Sequence, residues 1–158
     1  MQDIQHIIDR LVGDGSEGLT FERVRGDIEC ARNKPLLIET DVMPISMTGY
    51  IIALQDVDLI CTRRGMTVLR TQFVILHELG HMLLGHISRL TKEAPTCTYD
   101  EFIKHRNLKY AVHRSYTNMY TSPPERAAET LATALFEKIL RDDNEHKHIL
   151  PALFVELL

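Results

Sequence analysis

An apolar stretch from Phe73 to Leu84 contains the pattern His-Glu-x-x-His, formed by His77, Glu78 and His81. Residues four apart lie on the same face of a helix, so the two histidines can present imidazole nitrogens to one point in space. Glu78 is rotated about a quarter turn from His77. Its carboxylate would lie beside a bound metal ion, where it can take a proton from metal-bound water. The pattern predicts a helix that supplies two metal ligands and a base.

The residues around the motif indicate that this helix is buried. Apolar side chains surround the motif on nearly every face: Phe73, Val74, Ile75, Leu76, Leu79, Met82, Leu83 and Leu84. Such a helix belongs in a core, where two imidazoles and a carboxylate are costly without a cation or hydrogen-bond partners. We therefore predict a buried, metal-binding helix over residues 67–85. The alternative is a chance occurrence of the motif on a surface helix with solvated histidines.

Length and composition favour one globular domain over residues 1–158. Hydrophobic residues make up 44% of the chain and charged residues 25%, which is ordinary for a soluble domain. The net charge of −4 and the lack of a Lys/Arg run argue against direct binding of nucleic acid. The amino terminus does not resemble a signal peptide, and no apolar stretch is long enough to span a bilayer. We expect a cytoplasmic protein without membrane contact, whose oligomeric state the sequence leaves open.

The chain has three cysteines, Cys30, Cys61 and Cys97. An odd number without CxxC spacing indicates neither a disulfide framework nor a Cys-rich zinc site. We expect reduced thiols, with Cys30 and Cys61 packed in the core because both lie in apolar patterns.

The order of apolar patterns predicts an α+β fold, in which a small three-stranded sheet packs against the buried motif helix and further helices. The last two strands should form a hairpin, since Gln55 and Asp56 separate them. Thr67 is a candidate cap of the motif helix, and Thr98 with Glu101 matches a capping box. The predicted segments are N-terminal helices 2–33, sheet 36–62, motif helix 67–85, C-terminal helices 98–140 and tail 149–158.

A catalytic zinc site needs a third protein ligand and one open position for water. Glu125 is the best candidate, because it lies near the start of an alanine-rich helix and can reach a neighbouring helix over short side chains. Glu129, one turn later, could accept a hydrogen bond from a ligand imidazole. Spacing also allows Glu125 to form a capping box with Ser122, which needs no metal, and leaves the two roles open. His86 lies about half a turn around the helix from the first histidine, which predicts a poor ligand at the helix end or on the surface.

A Tyr/His-rich stretch at residues 107–121 has no clean period. Tyr116, Tyr120 or His113 could line a cleft and donate a hydrogen bond to a developing oxyanion. The alternative, which we favour, is that these are packing and surface groups of a loop.

Two motifs in this order resemble the ImmA/IrrE family of zinc metallopeptidases: His77–His81, and Glu125–Ala132, which is similar to the family pattern Glu-x-x-Ala-Asn/Asp-x-Phe-Ala. The resemblance covers residues 20–140 approximately. Glu129 stands where the family has Asn or Asp, and Leu131 where it has Phe. The interval between the motifs is also longer. The resemblance implies a zincin-like minimal fold of gluzincin type.

By this resemblance, Zn²⁺ would be bound by His77, His81 and Glu125, with Glu78 as the general base. Family members are cytoplasmic proteins of bacteria or phages, and several cleave a helix-turn-helix repressor encoded beside them. We therefore expect a zinc-dependent endopeptidase that acts on such a repressor. The alternative is a non-catalytic regulatory or toxin–antitoxin-type partner that retains the fold. The intact Glu78 favours the enzyme, because a structural zinc has no use for that carboxylate.

Overall fold

The computed structural model describes residues 4–13, 18–87, 97–104 and 122–146. It confirms the predicted α+β class. In chain order the elements are α1 (Ile4–Val12), α2 (Phe21–Arg32), β1 (Leu36–Asp41), β2 (Gly49–Ala53), β3 (Asp58–Arg63), α3 (Val68–Leu83), α4 (Tyr99–Lys104) and α5 (Pro123–His146).

The three strands form one sheet in the order β1-β3-β2. Strands β2 and β3 are antiparallel, and the amide of Leu54 donates to the carbonyl of Val57 at 2.9 Å to close the turn between them. The predicted hairpin is therefore confirmed. Strand β1 pairs with β3 in parallel, from Leu36 opposite Asp58 to Asp41 opposite Arg63. This arrangement leaves β2 at one edge of the sheet within the described part of the chain.

Side-chain caps fix the starts of two helices. Thr67 accepts a hydrogen bond from the amide of Arg70 at 3.3 Å and begins α3. The amide of Thr98 donates to Glu101 Oε2 at 2.9 Å, and the amide of Glu101 donates to Thr98 Oγ1 at 3.4 Å. Both predicted caps are formed, so the local polar pattern sets where these helices start.

Helix α3 is the central element of the fold. It packs against the sheet, α2 and α5, and Ile75, Leu76 and Leu79 are at most 2% exposed. The predicted burial of the motif helix is confirmed. The opposite face of the sheet is covered by α4, where Phe102 packs in a second apolar cluster with Ile52 and Leu59. Consequently α3 lies between the sheet and α5, and both neighbours can contribute to a site on it.

Helix α5 continues to His146, beyond the predicted end at residue 140. Its residue Asp142 is only 4% exposed. The Asp142 carboxylate accepts the amide of Leu19 at 2.6 Å and forms an ion pair with Lys138. The predicted end was wrong because a long-range contact supplies the buried carboxylate with partners and ties the helix to the segment before α2.

One of the two cysteine placements was wrong. Cys61 is fully buried on β3, whereas Cys30 is exposed on α2. The buried face of α2 is formed by Phe21, Val24 and Ile28, and Cys30 is rotated about 200° from Ile28. The predicted tail 149–158 and the Tyr/His-rich stretch 107–121 lie outside the described residues. Among the described helices, none combines the length and the apolar character needed to cross a bilayer.

Candidate metal centre

His77 and His81 lie one turn apart on α3, as the motif predicts. Their Nε2 atoms are 3.1 Å apart, and their ring centroids are 4.8 Å apart. Helix α3 therefore directs one nitrogen of each ring to a common point. His81 is buried and His77 is partly buried.

Helix α5 brings a carboxylate to the same point. Glu125 Oε2 lies 3.2 Å from His77 Nε2 and 3.4 Å from His81 Nε2. These three residues form the possible metal-binding group of the described chain. In a tetrahedral zinc site with bonds of about 2.0–2.1 Å, neighbouring ligand atoms are about 3.3 Å apart. The separations of 3.1, 3.2 and 3.4 Å therefore fit three corners of such a site.

The close approach of α3 and α5 explains how Glu125 reaches the histidines. A Cβ atom on Gly80 would lie 3.1 Å from the carbonyl oxygen of Ala128, which is tighter than ordinary contact. The small residues Gly80 and Ala128 thus let α3, which carries the histidines, lie close to α5, which carries Glu125. The Ser122 hydroxyl has no hydrogen-bond partner among the described residues. The alternative capping box with Ser122 is not formed, and the Glu125 carboxylate faces the histidines instead.

The second ring nitrogen of His77, Nδ1, contacts another carboxylate. Glu129 Oε2 lies 3.1 Å from His77 Nδ1, and its side chain is 59% exposed. Glu129 lies one turn after Glu125 on α5. It contacts the imidazole of His77 at the nitrogen that faces away from the candidate metal position. A carboxylate in this place fixes the orientation of a ligand imidazole and increases its basicity.

His86 holds the outer nitrogen of His81, which the sequence analysis missed. The two Nδ1 atoms are 2.9 Å apart. The expectation that His86 lies at the helix end and is a poor ligand agrees with the structure, in which the described metal-binding group does not include it. Its contact with His81 was not predicted, because the chain was assumed to continue as a regular helix. The helix ends at Leu83, and Gly85 with a φ of +71° turns the chain back. The sequence signal for this chain reversal was the glycine just after the end of the helix.

Glu78 is buried beside the edge of the sheet and is only 9% exposed. A Cβ atom on Gly49, at the start of β2, would lie 3.7 Å from Glu78 Oε1 and 2.5 Å from Val74 Cγ1. Glycine at this position therefore lets the strand pass close to α3 and to the carboxylate. Burial raises the pKa of Glu78, and the nearby His81 and His77 partly oppose that shift. A carboxyl with a raised pKa is suited to accept and return a proton near neutral pH.

The pKa values of Glu125 and His77 are shifted by burial and by their neighbours in the cluster. Burial alone would raise the pKa of Glu125, but hydrogen bonds with His77 and His81 outweigh burial and lower it to about 2. Burial alone would lower the pKa of His77, but the hydrogen bond with Glu125 and the charges of Glu78 and Glu129 raise it. The carboxylates therefore give the centre an excess of negative charge, which favours a bound cation or a proton on His77.

The three candidate oxyanion donors, Tyr116, Tyr120 and His113, lie outside the described residues. Comparison of the chain with protein-family models, with curated proteins and with solved structures found no match. The similarity to the ImmA/IrrE family thus depends on the two motifs alone. What the site itself defines is a group of two imidazoles and one carboxylate, with a buried second carboxylate next to it.

Proposed function

We propose that this chain is a zinc-dependent endopeptidase of the ImmA/IrrE type that acts in the cytoplasm. The observation that supports it most is the combination of three converging ligand atoms with the buried carboxylate of Glu78 on the same helix. Two His and one Glu are a typical ligand set of zinc hydrolases, which leave one position open for water. In the described part of the chain the cluster has three members, His77, His81 and Glu125.

Each polar residue of the centre has a specific task in this reaction. A bound zinc ion supplies Lewis acidity, lowering the pKa of water and polarising the peptide carbonyl. Glu78 accepts the proton that the attacking water loses and then donates it to the leaving amine, so it ends the cycle ionised. Glu129 keeps the ring of His77 oriented while Nε2 faces the ligand position.

The edge strand β2 offers a place for an extended substrate. The amide of Arg63 donates to the carbonyl of Thr48, and in an antiparallel ladder every second residue makes such pairs. The intervening residues Gly49, Ile51 and Ala53 therefore point their amide and carbonyl groups away from β3. A peptide added at this edge would gain main-chain hydrogen bonds. Because Glu78 lies beside the start of β2, that peptide would run next to the proposed base.

The proposed substrate is a small helix-turn-helix repressor encoded beside this protein. The similarity of the two motifs to the family suggests it, and the net charge of −4 agrees with a protein that acts on a DNA-binding protein rather than on DNA. The deciding variant is Glu78→Gln. The amide has nearly the shape of the carboxylate but cannot accept the proton.

Wild-type protein should cut the repressor at a discrete site, and a chelator should stop the reaction. Glu78→Gln should retain zinc and bind the repressor, but lose cleavage by several orders of magnitude. Cleavage by the variant at the wild-type rate would show that Glu78 is not the base. If both proteins bind a repressor tightly and neither cuts it, the non-catalytic partner protein is the correct description.

A further inference from the structure

The backbone after α3 brings His86 over the last turn of that helix. The amide of Gly85 donates to the carbonyl of Met82 at 3.1 Å, and the amide of His86 donates to the carbonyl of His81 at 2.9 Å. With Gly85 in the left-handed region at a φ of +71°, these bonds define a Schellman motif. In this motif the residue after the glycine folds back onto the residue five positions earlier. Here those two residues are His86 and His81.

The side chains of His81 and His86 make a polar contact at this position. Side chains brought together by a Schellman motif are usually apolar. In this chain the Nδ1 atoms of His81 and His86 are 2.9 Å apart, and the ring centroids are 5.1 Å apart. Since two bare nitrogens would repel, one Nδ1 must carry a proton and the other must accept it in a hydrogen bond. The Nε2 atom of His81 faces His77 and Glu125 instead.

We infer that His86 is a positioning residue, which accepts a hydrogen bond from the Nδ1–H group of His81 and so keeps the His81 Nε2 lone pair free for a metal ion. A metal-binding imidazole needs its other nitrogen protonated and held. His77 has Glu129 for this purpose, and His86 is the corresponding partner of His81. The inference rests on the metal site of the proposed function but is independent of the reaction that the site performs.

The deciding variants are His86→Leu and His86→Asn. Leucine keeps an apolar contact of the kind that a Schellman motif normally contains, so the fold should persist, but it cannot accept a hydrogen bond. Asparagine offers an oxygen at a similar position in the side chain. A matched control is His6→Leu, because His6 is exposed on α1. Zinc affinity is measured by competition with a chromogenic chelator.

His86→Leu should weaken zinc binding by about 10–100-fold, His86→Asn should recover most of the loss, and His6→Leu should bind as wild type. A second readout needs no metal. Nitrogen NMR of the metal-free protein at alkaline pH should show His81 protonated at Nδ1 in the wild type and shifted toward Nε2 protonation in His86→Leu.

Equal zinc affinity of wild type and His86→Leu, with an unchanged His81 tautomer, would overturn the role of His86 while leaving the proposed peptidase intact. An equal loss in the Leu and Asn variants would also overturn it, because packing rather than the acceptor would then matter. Failure of wild-type protein to bind zinc would remove the metal site and this role together. The cleavage test with Glu78→Gln is separate from all three outcomes.

Discussion

Glu125 is the residue on which the composition of the candidate site depends. Its carboxylate is one-fifth exposed, and two imidazoles that lie 3.2 and 3.4 Å away hold its pKa at about 2 against the effect of burial. It is therefore ionised at every pH where the protein is expected to work. An ionised oxygen held at this point is a ready ligand, and it costs no deprotonation when a cation binds.

Neutralising Glu125 and Glu129 of α5 one at a time should distinguish the metal ligand from the residue that supports a ligand. Glu125→Gln removes a charged oxygen from the ligand position, and we expect zinc affinity to fall by more than about a hundredfold. Glu129→Gln removes only the charge of the partner of His77 Nδ1, because the amide oxygen can still accept a hydrogen bond, so a smaller loss of about tenfold is expected. Chelator competition measures both, with circular dichroism as a control of folding. A larger loss in Glu129→Gln would reverse the assignment of ligand and support.

Proton competition at His77 predicts how zinc binding depends on pH. The pKa of His77 is raised because Glu125, Glu78 and Glu129 outweigh the effect of burial. Zinc needs the Nε2 lone pair, so affinity should be constant above this raised pKa and fall by about tenfold per pH unit below it. Glu129→Gln removes one stabilising charge and should move the onset to lower pH. An onset that stays in place in Glu129→Gln would contradict this account, and titration of zinc affinity against pH measures it.

At the site, the sequence predicted what depends on local spacing. His77, Glu78 and His81 follow from one helical turn, and the structure places them together. Glu125 could be named but not chosen over a capping role, because the choice depends on how α3 and α5 pack. His86 was expected at the helix end and as a poor ligand, which the structure agrees with, but its contact with His81 was not predicted, since that contact depends on a chain reversal at Gly85 rather than on helical periodicity.

Helices α3 and α5 approach each other closely at Gly80, and we expect the distance between the histidines and Glu125 to depend on that contact. A methyl group at Gly80 would press on the carbonyl of Ala128 at 3.1 Å. Because the neighbour is backbone, it cannot rotate away. We expect Gly80→Ala to reduce the free energy of unfolding by about 1–3 kcal/mol and to weaken zinc binding by displacing Glu125.

Gly26 offers a matched control for this substitution. It also lies inside a helix, α2, but a Cβ atom there would meet nothing within 4 Å. Gly26→Ala should therefore raise stability by about 0.5–1 kcal/mol through helix propensity alone and leave zinc affinity unchanged. Urea unfolding and chelator competition on both variants test the pair. Equal effects of the two substitutions would show that the α3–α5 contact does not control the site.

Among the elements, the caps and the hairpin were predictable because their partners are close in sequence. Thr67 caps α3 through the third residue after it, and β2 meets β3 across a two-residue turn. The parallel pairing of β1 with β3 and the buried Asp142 of α5 join segments far apart along the chain. Such pairings depend on the packing of the whole chain, which local patterns do not contain.

At the scale of the whole molecule, the candidate site joins two segments that the chain keeps apart. His81 and Glu125 are separated by 44 residues (125 − 81), and they meet only when α5 packs on α3. The far end of α5 is held in turn by Asp142, which accepts the amide of Leu19. The site is therefore absent from the unfolded chain, and any ion bound there stabilises the folded state by mass action.

Zinc should raise the thermal stability of this protein. At a free zinc concentration of a hundred times Kd, linkage predicts about 2.7 kcal/mol, which corresponds to a rise in Tm of about 5–10 °C for a domain of this size. The measurement is thermal unfolding with zinc and then with excess chelator. His77→Ala should show no zinc-dependent shift, because it removes a ligand from α3, whereas His6→Leu should keep the full shift. A shift of wild-type size in His77→Ala would place the stabilising ion elsewhere on the chain and contradict the metal centre proposed here.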